Sequence, residues 1–171
     1  YRYIVVEFVK GKEGNPNKVF NTVFVIHIAL MLLLLIGGEF FGTYYINNVA
    51  KFEVSKIHDA IFVLHMSLIA TALSIISIPF NGLIIAREKF IFTALVEIGR
   101  ALVKLGLVIF LLHYMGNKLR LYSVIAAFYA AILPISLFIY SFLKEKETIK
   151  WKFNSKIYEY KDICKYAFWI M

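Results

Sequence analysis

Cysteine occurs once in the chain, at Cys164, so no intramolecular disulfide can form and no cysteine-based metal set exists. Charged residues make up only 18% of the sequence, and no polar stretch is long enough to be a separate soluble domain. That absence removes nucleic acid as a partner despite the net charge of +8, because no domain is there to present a basic groove. No nucleophile stands beside a base, no catalytic carboxylate pair is visible, and there is no glycine-rich phosphate loop. Nothing in the residues asks for an enzyme or a cofactor. His58 and Asp59 sit together with no third ligand, which leaves metal binding without a basis. The apolar runs lack period-two alternation and exceed the roughly ten residues of a barrel strand, so strands are excluded. Tyr1 to Phe8 has neither the basic region nor the cleavage site of a signal peptide.

What the sequence has instead is apolar length. Hydrophobic residues make up 61% of it and mean hydropathy is +0.74, outside the balance of a soluble domain. A bilayer core of about 30 Å needs about 20 helical residues. Four runs pass, at about 19–46, 60–86, 90–114 and 119–143. A loop follows over about 144–165, and hydrophobicity rises again from about 166 through Ala167-Phe168-Trp169-Ile170-Met171, the start of a fifth span. With Tyr1 at one end and this rise at the other, the sequence reads as an internal piece of a longer chain. The expected fold is all-α, a polytopic transmembrane helix bundle forming a single region over residues 1–171.

The connections Arg87-Glu88-Lys89 and Met115-Gly116-Asn117-Lys118 allow little beyond a tight turn, so consecutive spans must run antiparallel. Lysine and arginine then set the orientation. The segments before span one, between spans two and three, and after span four hold 13 of them, against 4 in the two opposite loops (Lys51, Lys56, Lys118, Arg120). The positive-inside rule makes the first set cytoplasmic, facing anionic lipid headgroups. Tyr44, Tyr45, Tyr114, Tyr122, Tyr140 and Trp151 lie near the interfaces, where an aromatic belt would sit.

Glu97, Arg100 and Lys104 interrupt the third run. At 100° per residue they fall within roughly 60° of one another and share one face. Arg100 lies ten residues from Phe90, about 15 Å into the bilayer by helical rise. A charge at that depth costs at least about 2.5–3.5 kcal/mol, so the group should face protein or a wet cavity. Glu97 can pair with Arg100 one turn away, leaving Lys104 as the excess positive charge. Two cations against one carboxylate suit an anionic substrate such as a pyrophosphate, with arginine as a bidentate fork and lysine as a point charge. The alternative is an ion-pair network that only ties helices together, with Lys104 snorkelling to the interface. Pro79 and Pro134 should each bend a helix, as hinge or as static kink, and Asn81 reads as a packing or loop contact. His27 and His65 on spans one and two are candidates for lining a pathway, though a lone membrane histidine is usually a packing residue.

The stretch Ser77-Ile78-Pro79-Phe80-Asn81-Gly82-Leu83-Ile84-Ile85-Ala86-Arg87-Glu88-Lys89-Phe90 resembles a segment of the bacterial polysaccharide flippases, the lipid-linked oligosaccharide translocases related to the MATE multidrug exporters. It departs at Phe80 for tyrosine, Gly82 for alanine and Phe90 for methionine. Glu97, Leu102, Lys104 and Leu105, then Lys118, Leu119 and Tyr122, resemble the pattern downstream. Arg2 to Phe20 resembles the cytoplasmic loop before that family's third span. The resemblance implies twelve to fourteen spans in two pseudo-symmetric bundles, of which this chain holds spans three to six and the start of the seventh. It implies transport of an undecaprenyl-pyrophosphate-linked oligosaccharide from the cytoplasmic to the periplasmic leaflet of the bacterial inner membrane, for surface polysaccharide such as the O-antigen of lipopolysaccharide. H+ or Na+ would be the coupling ion. On this reading Arg100 and Lys104 bind the anionic lipid-linked glycan, with Glu97, Asn81 and Pro79 in support. A MATE-like multidrug or ion antiporter keeps the fold but fits an excess of cavity cations poorly, since like charges repel. A membrane glycan polymerase or acyltransferase would need a large periplasmic loop or a histidine-rich site.

In a Cys164→Ser background of the full-length protein, Lys51→Cys is expected to react with an impermeant maleimide in whole cells and Lys150→Cys only after permeabilisation. The reverse pattern would invert the orientation.

Overall fold

The computed structural model describes residues 2–51, 53–152 and 161, and every regular element among them is helical. A short helix α1 (Arg2–Val9) and a 3-10 turn (Gly11–Glu13) precede four long helices: α2 (Pro16–Asn48), α3 (Val54–Ala86), α4 (Phe90–His113) and α5 (Lys118–Lys144). A final short helix, α6, covers Lys146–Ile149. The long helices fall on the four apolar runs, with α3 starting six residues early and so taking in His58 and Asp59. Three of them, α2, α3 and α5, are long and apolar enough to cross a membrane. α4 has the length, 24 residues, but every window of membrane-spanning length within it holds Glu97, Arg100 and Lys104. The expected fifth span near residue 166, Cys164, and the loop beyond Lys152 apart from Lys161 lie outside the described residues.

Local chemistry starts and stops these helices. Asn15 caps α2, its side chain accepting the Lys18 N–H at 3.0 Å, with Pro16 supplying a preset φ in the first turn. Asn117 does the same for α5, accepting from the N–H groups of Leu119 and Arg120. α3 ends in a paired closure: the Lys89 N–H reaches Ile84 O at 3.1 Å and the Glu88 N–H reaches Ile85 O at 2.9 Å. This closure puts Glu88 at φ 56°, in the left-handed region that suits glycine.

α3 is the central element. α2 runs antiparallel along one side of it, and α5 packs most extensively against the other. Gly38 and Gly42, one turn apart on α2, allow close approach: a Cβ on Gly42 would lie 2.7 Å from a Leu64 methyl, and one on Gly38 would collide with Leu68. Small residues at this spacing are a common way for membrane helices to bring their backbones together. α4 packs chiefly on α5 and has no buried residue.

The core lies at one end, where Ile4, Phe20, Phe80, Leu83, Ile84 and Leu137 converge. Phe80 is its hub, meeting Phe20 edge-on at 5.3 Å, and Phe24 and Phe138 at 5.7 Å each. At the same end Arg87 pairs with Glu145 at 2.7 Å and lies over the Phe8 ring at 3.9 Å. At the other end Asp59 accepts from both Asn117 and Arg120. The two ion pairs therefore clamp α3 and α5 in parallel, and the described parts of the basic segments expected to be cytoplasmic are gathered at one end of the bundle.

Two segments expected as loops are ordered. Arg2–Phe20 does not run as a simple loop: it buries Ile4 in the core and turns back at Glu7, whose carboxylate takes the Lys10 ammonium and the Asn15 N–H. Those bonds hold the Glu7 carboxyl below the usual glutamate range. After α5, helix α6 buries Thr148, and the Asn17 amide donates to the carbonyls of Glu147, Thr148 and Lys150 at 2.7–3.0 Å. Asn21 adds bonds to Lys150 O and the Lys152 N–H, and Trp151 meets Phe24 edge-on. Buried partners of this kind require tertiary contacts that hydropathy does not reveal.

Glu88→Gly is expected to stabilise the α3–α4 turn by about 1 kcal/mol by removing the left-handed penalty. Thermal unfolding of the detergent-solubilised protein measures it, and a lowered midpoint would show that the Glu88 side chain itself holds the turn.

Candidate functional site

Glu97, Arg100 and Lys104 lie together on α4, and the two cations face α5. Arg100 Nη1 donates to Glu97 Oε1 at 2.7 Å, and the guanidinium lies over the Tyr129 ring of α5 at 4.5 Å from its centroid. The Lys104 ammonium lies over the same ring at 5.7 Å. A phenol face between two cations is attractive to both, because the ring quadrupole presents negative charge there. Glu97 is half exposed while the Arg100 side chain is largely covered.

Two features distinguish this cluster from a closed ion pair. Arg100 Nε is buried with no hydrogen-bond partner among the described residues. An unmet buried donor costs about 1–3 kcal/mol, so the guanidinium retains capacity for an acceptor. Lys104 has no carboxylate partner among the described residues and borders a cavity of about 150 Å³ between α4 and α5, with Leu107, Leu111, Tyr122, Ile125 and Tyr129 on its walls. Lys104 therefore borders the cavity as a cation without a carboxylate, and Arg100 lies one turn away with its Nε buried and unmet.

The structure does not bring the remaining expected residues here. Pro79 is buried beside Phe80, inside the unbroken helix α3, and Asn81 is half-buried on the same turn. Phe80 pairs with Phe138, nine residues beyond Tyr129 on α5, a separation of about 13.5 Å along the axis. Pro79 and Asn81 thus belong to the core end. Pro134 is likewise buried within a continuous helix.

His27 is satisfied locally, its Nδ1 lying 2.7 Å from Val23 O. His65 reaches across to α2, where its Nε2 lies 3.0 Å from Glu39 Oε1. Tyr129 and Glu39 are the functional candidates that sequence reasoning missed. Tyr129 gives no signal in so aromatic a chain. Glu39 does give one, as an acid inside a span, but a long leucine run hides it. No group of three or more metal-ligating side chains occurs among the described residues. Comparisons with protein-family models, with curated proteins and with solved structures find no match to this chain.

Tyr129→Leu removes a ring that serves two cations, each contact worth about 0.5–2 kcal/mol, and is expected to lower the unfolding midpoint. Tyr129→Phe keeps the face and most of the stability. Equal losses in the two variants would assign the effect to the hydroxyl instead.

Proposed function

We propose that the chain is part of a membrane transporter that moves an undecaprenyl-pyrophosphate-linked oligosaccharide from the cytoplasmic to the periplasmic leaflet of a bacterial inner membrane, α4 being a fourth span. The reading rests on the resemblance carried by Ser77–Phe90. The observation that supports it best is the excess positive charge at α4: two cations against the one carboxylate of Glu97, with Arg100 Nε unmet and Lys104 bordering a cavity. A diphosphate offers the charge and the several acceptors that such a pair lacks. Three helices long and apolar enough to cross a membrane support the location. An antiporter for cationic drugs would have to bring its cargo against two cations that share one carboxylate.

Each cation is expected to contribute a charge-assisted bond worth about 1.5–3 kcal/mol, so Arg100→Gln or Lys104→Gln in the full-length protein should cut glycan export about tenfold or more. Insertion should survive, since losing a charge eases partitioning into the bilayer. Lys104→Arg should retain more activity than Lys104→Gln. Glu97 separates substrate binding from structural pairing. If pairing is the only purpose, Glu97→Gln will be the most damaging change and the double variant Glu97→Gln, Arg100→Gln will recover function. That recovery, read as surface glycan in a flippase-deleted strain, would overturn the reading.

A further inference from the structure

A second polar cluster lies where α2 and α3 come closest. Gly38 and Gly42 flank Glu39 on α2, and the Leu64 and Leu68 side chains that meet them flank His65 on α3. The glycines thereby set the distance at which a carboxylate on one helix reaches an imidazole on the other, 3.0 Å from Oε1 to Nε2. Thr43 donates to the same carboxylate oxygen at 3.4 Å. Around them is an open groove of about 640 Å³ whose other walls, among them Leu35, Phe40 and Leu68, are apolar.

Depth makes this pairing unusual. Counted from the limits of the apolar runs at about 46 and 60, Glu39 lies seven residues and His65 five residues in, about 10.5 and 7.5 Å by helical rise. Both fall within the apolar runs, where a lone carboxylate is costly. We propose that Glu39 and His65 together form a proton-binding site that opens to the groove between α2 and α3.

The geometry assigns the atoms. In the arrangement with Glu39 as carboxylate, the imidazole carries its N–H on Nε2 and donates it to Oε1, beside the Thr43 hydroxyl. His65 Nδ1 has no partner among the described residues, and the side chain is 45% exposed to the groove. A proton arriving there adds to the Nδ1 lone pair and gives an imidazolium facing the carboxylate, so the pair passes from one net negative charge to none. No other titratable side chain among the described residues lines the groove. The nearest along the two helices are Tyr44 and Tyr45 on α2 and His58 and Asp59 on α3, and Asp59 is already engaged by Asn117 and Arg120.

The test uses the full-length protein in lipid nanodiscs with ring-¹⁵N histidine. The resonance lost in His65→Gln identifies His65, and its Nδ1 is expected to gain a proton between pH 9 and pH 5. Removing the facing charge in Glu39→Gln should weaken that proton's binding about tenfold or more, while Glu39→Asp, which keeps the charge, should change it less than about threefold. Signals from His27, His58 and His113 report the fold in the same spectra. A His65 that takes up no proton, or one whose proton affinity is the same in Glu39→Gln, overturns the proposal.

A role for this proton as coupling ion rests on the transporter reading above. In inverted vesicles an imposed pH gradient should then accelerate glycan uptake by the wild type and not by His65→Gln, with exchange at equal pH retained in both. A gradient response that persists in His65→Gln overturns the coupling role. Wild-type vesicles that move no glycan overturn the transporter reading and leave the spectroscopic result intact.

Discussion

Apolar side chains surrounded by lipid gain little from contact with one another, because the acyl chains are as apolar as leucine. What remains is fit, and the bundle depends on how closely α3 can be approached. On one side the approach is set by absence of side chains, at Gly38 and Gly42, into which Leu68 and Leu64 project. On the other it is set by Leu137, fully buried, and by Phe138 against the Phe80 ring. α4 adds only Phe92 to the edge of the core, and its place on α5 depends on Phe92 against Tyr140 and on the cations over Tyr129.

Polar groups are distributed by what each level of the bundle can tolerate. At the ends, where water is close, Arg87–Glu145 and Asp59–Arg120 fix register as ordinary ion pairs. At the core end, Asn17 and Asn21 spend their amides on backbone carbonyls that would otherwise be unmet, which turns the segment after α5 into part of the bundle. Between the ends only two ionic clusters occur among the described residues, Glu39–His65 and Glu97–Arg100. They lie on different helix pairs, and Lys104 beside the second gives it one cation more than its carboxylate balances.

The helices and their order were legible because apolar length is a one-dimensional property, and the two tight connections fixed their alternation. The pairing of Glu97 with Arg100 was legible because it lies within one turn. What lay beyond reach was whatever needed a second helix. Tyr129 matters only because α5 places it opposite Arg100, His65 only because α2 brings Glu39 to it, and Asn81 falls away from the site because of an axial offset that no spacing along the chain encodes. The burial of Ile4 was hidden for the same reason: Tyr3-Ile4-Val5-Val6 is a short apolar stretch, and Phe20 and Leu83 join it in the core only through the fold.

The dependence of α4 on α5 also has a consequence in time. On the reading of α4 as a span, Arg100 and Lys104 enter the bilayer before the ring that covers them exists, since Tyr129 is synthesised twenty-nine residues after Arg100. At ordinary elongation rates of 5–20 residues per second the gap is about 1.5 to 6 s. During it α4 has only Glu97 to offset two charges, and α3 gives it little surface to lean on. On that reading the translocon would hold α4 at its lateral gate until α5 arrives, and the two helices would leave as a hairpin. Biogenesis of this bundle is then sequential up to α3 and concerted thereafter.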